Sequence, residues 1–233
     1  MDTTQYVKYF SVKYGIWSYL LFFSYSLYAQ ERFDIGLFGG TSYYMGDINQ
    51  TRIFYAPSLS YGAIVNYVFD SRLSLRVEIY KGSFQANDMD FANDYQRLLR
   101  RVAFTASLVD MSLQWEFNFL PYINITRYKD NFTFFVANGL GCAFIINSDY
   151  DPGSKLTVPI GIGVKYNLIK RLTVGAEWSY RKTFADGIDG VINYRNNLYR
   201  SGIHNFDWYS FAGVFFTYKI FYDEGKCPVY LQE

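Results

Sequence analysis

The chain has 233 residues and a net charge of +1, with 50% hydrophobic, 21% aromatic and 18% charged residues. Its mean hydropathy is −0.06, which excludes a bundle of membrane-spanning helices on composition, and its near-neutral charge gives no electrostatic argument for a nucleic-acid partner. The charged fraction is below the usual quarter or so. A closed barrel fits these values, because apolar residues that face lipid alternate along each strand with polar residues that face inward.

The first segment, residues 1–29, has the pattern of a cleaved signal peptide. Lys8 and Lys13 supply its positive region, an apolar run follows, and Ala29 is the small residue before a cut at Gln30. A single membrane anchor is the alternative, but the run is shorter than the ~20 residues that a spanning helix needs. We therefore expect an exported chain.

Eight later segments show the period-2 alternation of a half-buried strand. Each is long enough to cross a membrane as a tilted strand, which takes about 9–11 residues, and an even count is typical of bacterial single-chain barrels. In chain order they are Phe33–Met45, Pro57–Phe69, Arg72–Ala86, Ala103–Phe119, Phe132–Asn147, Leu156–Asn167, Arg171–Phe184 and Asp207–Phe221. The sequence predicts an all-β, eight-stranded antiparallel up-and-down barrel of the outer membrane over residues 30–221, followed by a periplasmic tail, residues 222–233.

The connections between these strands alternate in length, which predicts an orientation. Tight turns follow the second and sixth strands, at Asp70–Ser71 and Leu168–Lys170. Longer polar loops follow the odd-numbered strands: Gly46–Ala56, Asn87–Val102, Ser148–Lys155 and Ala185–Phe206. Outer-membrane barrels have short periplasmic turns and longer outer loops, so both termini are expected in the periplasm. The exception is Leu120–Asn131, which we interpret as a periplasmic contact element.

Charged residues of both signs share one face of the clearest strands. They are Arg76, Glu78, Asp110, Glu116, Lys165, Glu177 and Arg181. A soluble lipocalin-like barrel would have the opposite polarity, with apolar residues inside. Eight strands leave room inside only for side chains, so we predict a buried structural network rather than a solute pore or a proton path.

Aromatic residues near the predicted strand ends suggest a girdle at each membrane interface. On the periplasmic side these are Trp115, Phe117, Tyr122, Tyr128, Tyr166 and Tyr222, and on the outer side Tyr43, Tyr44, Phe184, Trp208 and Tyr209.

Catalytic and cofactor motifs are weak in this sequence. His204 lies near Ser201 and Asp207 in the last outer loop, and outer-membrane lipid hydrolases do pair serine with histidine, but no hydrolase signature surrounds it. We expect a solvent-exposed loop histidine. No phosphate-binding loop, zinc cluster or dinucleotide fingerprint is present. The acidic pairs in 149–151 and 186–189 suit calcium, although loop turns explain them better. We therefore expect no enzyme activity, cofactor or metal.

The two cysteines have different predicted locations. Cys142 falls within the fifth strand and Cys227 in the tail, so an internal disulfide, which needs Cα atoms within about 7 Å, is not expected. In the oxidising periplasm a leftover cysteine suggests intermolecular pairing, and a free thiol in the tail is the alternative. Val229 and Tyr230 in the same tail are candidates for docking on a partner.

Five stretches together carry a resemblance to a known group of barrels. They are 33–49 (FDIGLFGGTSYYMGDIN), 73–78 (LSLRVE), 94–101 (DYQRLLRR), 113–119 (LQWEFNF) and 159–166 (PIGIGVKY). They resemble the PorG-like barrels of the type IX secretion system of Bacteroidetes-type bacteria. The resemblance implies a non-enzymatic part of a secretion machine, which associates with a periplasmic ring built of a lipoprotein and its partner protein.

If this resemblance holds, the working surface is the periplasmic face. It comprises the two tight turns, the contact element with Tyr122 and Tyr128, and the tail, and Cys227 becomes a candidate for covalent linkage to the ring lipoprotein. Two rival functions stay open: an adhesion or resistance barrel that acts through the loop Ala185–Phe206, and a lipid-modifying enzyme that uses His204.

Overall fold

In a computed structural model, the described residues are 33–46, 48–49, 52–91, 103–122, 131–148, 153–169, 171–184 and 207–220. Within them eight antiparallel strands form a closed barrel in chain order. The strands are β1 (Phe33–Met45), β2 (Ser58–Val68), β3 (Leu73–Asn87), β4 (Ala103–Asn118), β5 (Phe132–Ser148), β6 (Gly153–Ile169), β7 (Leu172–Thr183) and β8 (Trp208–Lys219). A short 3₁₀ turn, Asp88–Asp90, follows β3. In these ranges we find no helix whose length and hydropathy would let it span a bilayer.

The predicted eight-stranded barrel is confirmed. Each strand pairs with the next, and β8 closes on β1, where Met45 lies opposite Trp208. The strand bounds agree with the predicted ones to within a few residues; the largest difference is β6, which begins at Gly153 instead of Leu156. Closure leaves no sheet edge, so every strand has a hydrogen-bonding neighbour on both sides.

The two ends of the barrel differ in how their strands are joined. The end of the barrel that carries the β2–β3, β4–β5 and β6–β7 connections is called the turn end. The opposite end is called the loop end. At the β2–β3 turn the Asp70 carboxylate accepts the N–H groups of Arg72 (2.6 Å) and Leu73 (2.8 Å). An aspartate that bonds the backbone two residues on is a strong turn former, which explains why this connection is short.

The polarity of the wall is that of an outer-membrane barrel. Its outward-facing apolar side chains, which we call the apolar band, include Ile35, Leu37, Leu59, Val77, Ile79, Leu113, Leu140, Leu156, Ile160, Ile162, Val214 and Phe216, all exposed. Along β4 and the residue that follows it, the band runs from Val109 to Phe119. Ten residue steps of about 3.3 Å at a tilt of about 40° span about 25 Å, which matches the apolar height of outer-membrane barrels.

The barrel interior holds aromatic rings as well as the predicted polar residues. Phe38, Tyr80, Phe84, Phe135, Phe211 and Phe215 are all at most 3% exposed. The predicted girdles are therefore partly wrong. Tyr44 and Tyr209 lie inside the barrel, because they occupy inward positions of β1 and β8. Tyr43 faces outward but is covered by the ring of Phe54, whose centroid is 4.9 Å away.

Candidate functional site

The strand alternation places seven charged side chains inside the barrel, on four different strands. They are Arg76 and Glu78 on β3, Asp110 and Glu116 on β4, Lys165 on β6, and Glu177 and Arg181 on β7, and none is more than 6% exposed. These are the residues that the sequence assigned to a lumen network. The structure brings all seven together in one connected set of ion pairs, which we call the lumen network.

Arg76 lies at the centre of the lumen network, where it meets three carboxylates. Its Nε is 2.6 Å from Glu78 Oε1, its Nη1 is 3.4 Å from Glu116 Oε2, and its Nη2 contacts Glu177. The guanidinium also lies 4.8 Å from the ring centroid of Phe215. A planar fork with five donors suits such a site better than an ammonium group would.

Arg181 completes the loop-end half of the lumen network. Its Nε donates to Asp110 Oδ1 at 3.0 Å, and its Nη2 donates to Glu78 Oε2 at 2.7 Å. The guanidinium lies 4.7 Å from the ring centroid of Phe211 and 5.2 Å from that of Tyr80. Cation–π contact of this kind adds to the ion pairs in a desolvated site.

Lys165 and Glu116 form the turn-end half of the lumen network. The Lys165 ammonium contacts the Glu116 carboxylate, and the Ser74 hydroxyl donates to the same carboxylate at 2.7 Å. With three cations and four carboxylates, the seven groups link β3 and β4 to β6 and β7 across the barrel. This arrangement braces opposite walls, and it fills the space through which a solute would have to pass.

Tyr122 closes the turn end. Its hydroxyl donates to Asn167 Oδ1 (2.6 Å) and lies 2.9 Å from Thr173 Oγ1, while its N–H donates to the Ser71 carbonyl at 2.9 Å. The Lys219 ammonium lies 5.5 Å from the centroid of the Tyr122 ring. Burial raises the pKa of Tyr122 well above its ordinary value. The prediction that Tyr122 belongs to an interfacial girdle is therefore wrong, because its phenol points into the barrel.

At the loop end, side chains of the first loop pack against residues at the ends of β1, β4 and β8. The Tyr44 hydroxyl donates to Asp207 Oδ1 at 2.6 Å, and Asn49 Nδ2 donates to the Tyr44 carbonyl at 2.8 Å. Ile48, 1% exposed, and Phe104, whose ring meets that of Tyr44 edge-on at 4.9 Å, fill the space between them. The carboxylate of Asp207, one of the polar residues near His204 in sequence, is thus hydrogen-bonded to Tyr44 within this packed region.

Tyr55 fastens the same loop to the end of β3. Its hydroxyl donates to Asp90 Oδ2 at 2.5 Å and accepts the N–H of Asn87 at 3.2 Å. Burial and the hydrogen bond to Asp90 raise the pKa of Tyr55 to about 12. The hydroxyl can donate this hydrogen bond to Asp90 only while the phenol is protonated.

Several predicted site residues fall outside the described ranges. They are the signal segment 1–29, Tyr128, Ser201, His204, Tyr222, Cys227, Val229 and Tyr230, with the acidic pairs of 149–151 and 186–189. Those predictions stay predictions. Cys142 is described: it is a free thiol on the outward face of β5. Within the described ranges no group of three or more His, Cys, Asp or Glu is placed to hold a metal.

Sequence reasoning missed the interior aromatic rings, although the chain contains a signal for them. Gly163 of β6 pairs directly with Phe135 of β5, and Gly175 of β7 pairs with Phe215 of β8. A Cβ at Gly163 would lie 2.4 Å from the Phe135 ring, and one at Gly175 would lie 2.2 Å from the Phe215 ring. An inward glycine opposite an aromatic residue thus marks where the ring lies. Asp34, which pairs with Lys219 and Asn66 at the turn end, was also missed.

Comparison with known proteins gives one family and a set of distant structures. Residues 14–233 match a family described as a domain of unknown function, DUF6089. No curated protein matches. The structure is similar to the N-terminal β-barrel domain of Pseudomonas aeruginosa OprF (17% identity, 81% of this chain and 98% of that one, TM-score 0.42). It is also similar to Neisserial surface protein A (10% identity, 80% of this chain and 96% of that one, TM-score 0.48). A third similar structure is the attachment invasion locus protein Ail of Yersinia pestis, solved with a heparin analogue (11% identity, 80% of this chain and 97% of that one, TM-score 0.44).

Proposed function

The chain belongs to the DUF6089 family, and from that premise we propose that it is a non-enzymatic outer-membrane component of the type IX protein secretion machinery, which anchors a periplasmic ring complex. In this proposal the turn end and both termini face the periplasm. The ring lipoprotein and its partner are the binding partners, and outer-membrane lipid surrounds the apolar band. The secretion role is supported by the resemblance to PorG-like barrels described above.

The observation that carries the proposal is a lumen filled along its length. The lumen network occupies its middle, Tyr122 closes the turn end and Tyr44 packs beneath the loop end. A barrel filled in this way offers no route for cargo. In this proposal the barrel therefore contributes to secretion by offering a surface on which other components bind.

In this proposal the surface is the β4–β5 connection at the turn end. Its first residues are tied to the barrel mouth, since Leu120 donates its N–H to Thr133 Oγ1 at 3.1 Å and Tyr122 is bonded inside. Its last residue is tied too, since Asn131 accepts the N–H of Asn167 at 2.8 Å. Tyr122 and Asn131, which flank residues 123–130, are therefore both held at the turn end, and in this proposal the connection between them is the contact element for the ring.

A stoichiometric pull-down tests the anchoring role. Outer membranes are solubilised in mild detergent, and the barrel is expected to carry a periplasmic partner at a fixed ratio. Replacing residues 123–130 by a Gly/Ser linker of equal length should remove the partner and leave the barrel folded, because Tyr122 and Asn131 are kept. A wild-type barrel recovered alone contradicts the proposal.

A non-reducing gel tests the covalent link separately. The wild-type chain should give a high-mass band that disappears with reductant and in Cys227→Ser. Cys142→Ser is the matched control, since Cys142 lies on the outward face of β5, and it should keep the band. A monomer band in all three variants removes the disulfide and leaves non-covalent docking.

One observation favours a second function, adhesion or resistance through the loop end. The β3–β4 hairpin continues past the apolar band, and its outward side chains there are polar: Lys81, Ser83, Gln85, Thr105 and Ser107. The sequence assigns adhesion to the loop Ala185–Phe206 at this same end. Deleting residues 186–205 should abolish adhesion if this function is correct, and should leave secretion unchanged if the ring role is correct. For the lipid-modifying alternative, unaltered lipid A in His204→Ala would remove it.

A further inference from the structure

Asn138 is the one amide that faces outward within the apolar band, among the residues that the structure describes. It lies on β5, opposite Trp115 of β4 and Ile160 of β6, and its side chain is exposed. Its side-chain amide makes no hydrogen bond within the described ranges. Hydroxyls on the same outer surface are bonded: Thr41 donates to the Ala212 carbonyl at 3.4 Å, and Ser210 to the Ser179 carbonyl at 2.9 Å.

The depth of Asn138 separates it from water on both sides. Its neighbour Trp115 is four residues from Phe119 at the turn-end edge of the band and six residues from Val109 at the other edge. With about 3.3 Å per residue and a tilt of about 40°, the amide lies about 10 Å from one edge and about 15 Å from the other. An amide at this depth without a partner is unfavourable, because hydrocarbon replaces none of its hydrogen bonds.

The β5–β6 ladder is interrupted beside Asn138. Pairing stops at Asn138 and Ile160 and resumes only at Gly141 and Thr157. By this register Pro159 lies opposite Gly139, and proline has no N–H to donate. The wall is therefore short of hydrogen bonds at the place where an outward amide is also unpaired.

We propose that the outward face around Asn138 is a self-association surface, occupied by a second copy of this chain. Copies inserted in one direction can be related by a two-fold axis only along the membrane normal, so a residue near that axis meets itself at the same depth. An amide both donates and accepts, and two Asn138 side chains therefore satisfy each other with reciprocal hydrogen bonds. Exposed Leu113, Leu140 and Ile162 supply apolar contact around the pair.

This surface is independent of the anchoring role, because it lies on the wall and not at the turn end. It is tested by cross-linking Asn138→Cys in outer membranes, in a background with Cys142→Ser and Cys227→Ser. Mild oxidation should produce a band of twice the monomer mass that reductant removes. The matched control is Leu59→Cys in the same background, which is 77% exposed on β2, three strands away, and should stay monomeric.

The contribution of the amide is measured with Asn138→Leu, which keeps the branching and the number of non-hydrogen atoms of the side chain and removes its donors and acceptor. Energy transfer between labelled copies in lipid vesicles should report self-association weakened by about 3- to 30-fold, as expected for amide hydrogen bonds in a membrane. Leu140→Ile, on the same face, should leave the affinity within about twofold, because volume-conserving apolar changes are tolerated. A heat-modifiability gel verifies that each variant folds.

Three results overturn the proposal. The first is no dimer band for Asn138→Cys, or an equal band for Leu59→Cys. The second is an affinity of Asn138→Leu equal to that of the wild type. The third is a reducible band of a different mass, which assigns the face to another membrane protein instead of a second copy.

Discussion

Replacing Arg76 by methionine should remove the central cation of the lumen network. The three carboxylates that Arg76 contacts differ in the partners that remain to them after this substitution. Glu78 keeps Arg181, and Glu116 keeps Lys165. Among the described residues, the one hydrogen bond that Glu177 keeps is that from the Tyr80 hydroxyl, at 3.2 Å. Because breaking a buried pair leaves an uncompensated charge, we expect a loss of about 3–5 kcal/mol in the free energy of unfolding, with Glu177 as its main source.

A second substitution tests where this loss originates. Glu177→Gln removes the orphaned charge, so adding it to Arg76→Met should recover about 1–3 kcal/mol. The assay is urea unfolding of the barrel in lipid vesicles, followed by tryptophan fluorescence. Lys81→Met, which removes an exposed cation from the same strand, is the control and should change stability by less than about 0.5 kcal/mol. The reasoning is refuted if Arg76→Met costs less than about 1 kcal/mol, or if the double variant is no more stable than the single one.

Three further predictions concern the two ends and the interior rings. Tyr122→Phe should cost about 1 kcal/mol in the same unfolding assay, because Asn167 loses a buried donor, whereas Tyr218→Phe, on the outer wall, should cost less; equal costs would contradict the plugging role. The raised pKa of Tyr55 means that the protonated phenol stabilises the folded loop, so this stabilisation is complete below pH 10 and is lost as the pH rises towards about 12. The difference in tyrosinate absorbance between the wild type and Tyr55→Phe measures the titration of this phenol. A difference that titrates below pH 10 would contradict the prediction. Gly175→Ala should destabilise by about 1–3 kcal/mol through contact with the Phe215 ring, whereas Gly39→Ala, where a Cβ meets nothing within 4 Å, should not; equal costs would show that the ring does not fill that space.

The sequence predicted the fold where alternation was unbroken. In β4 and β7 apolar and polar residues alternate cleanly, so both the strand and its inward face could be read directly. In β1, β5 and β8 glycines and aromatic residues fall on both faces, and hydrophobicity alone cannot tell an inward phenylalanine from an outward one. Phe215 and Phe216 illustrate this, since the first is fully buried and the second is 48% exposed.

The candidate site was only partly predictable. Opposite charges on inward positions suggested a network, but the partners of each group depend on the stagger of the strands, which alternation does not give. Arg76 and Glu177 are 101 residues apart and meet only because the barrel closes. Tyr122 was misassigned because a tyrosine after a strand looks the same in sequence whether its ring turns towards lipid or into the mouth.

Barrel closure also sets a condition on how the chain reaches its final state. The β1–β8 seam joins residues far apart in the chain: the Thr41 hydroxyl meets the Ala212 carbonyl across 171 positions. Such a contact is formed late and at a high entropic cost, so folding should be slow and should leave strand edges open for much of its course. A chain that lacks β8 would leave one edge of β1 and one edge of β7 unpaired in hydrocarbon, where the backbone groups of those edges find no other partner. Stable insertion therefore requires β8, because only a chain that includes this strand can satisfy all the backbone hydrogen bonds of the barrel within the lipid.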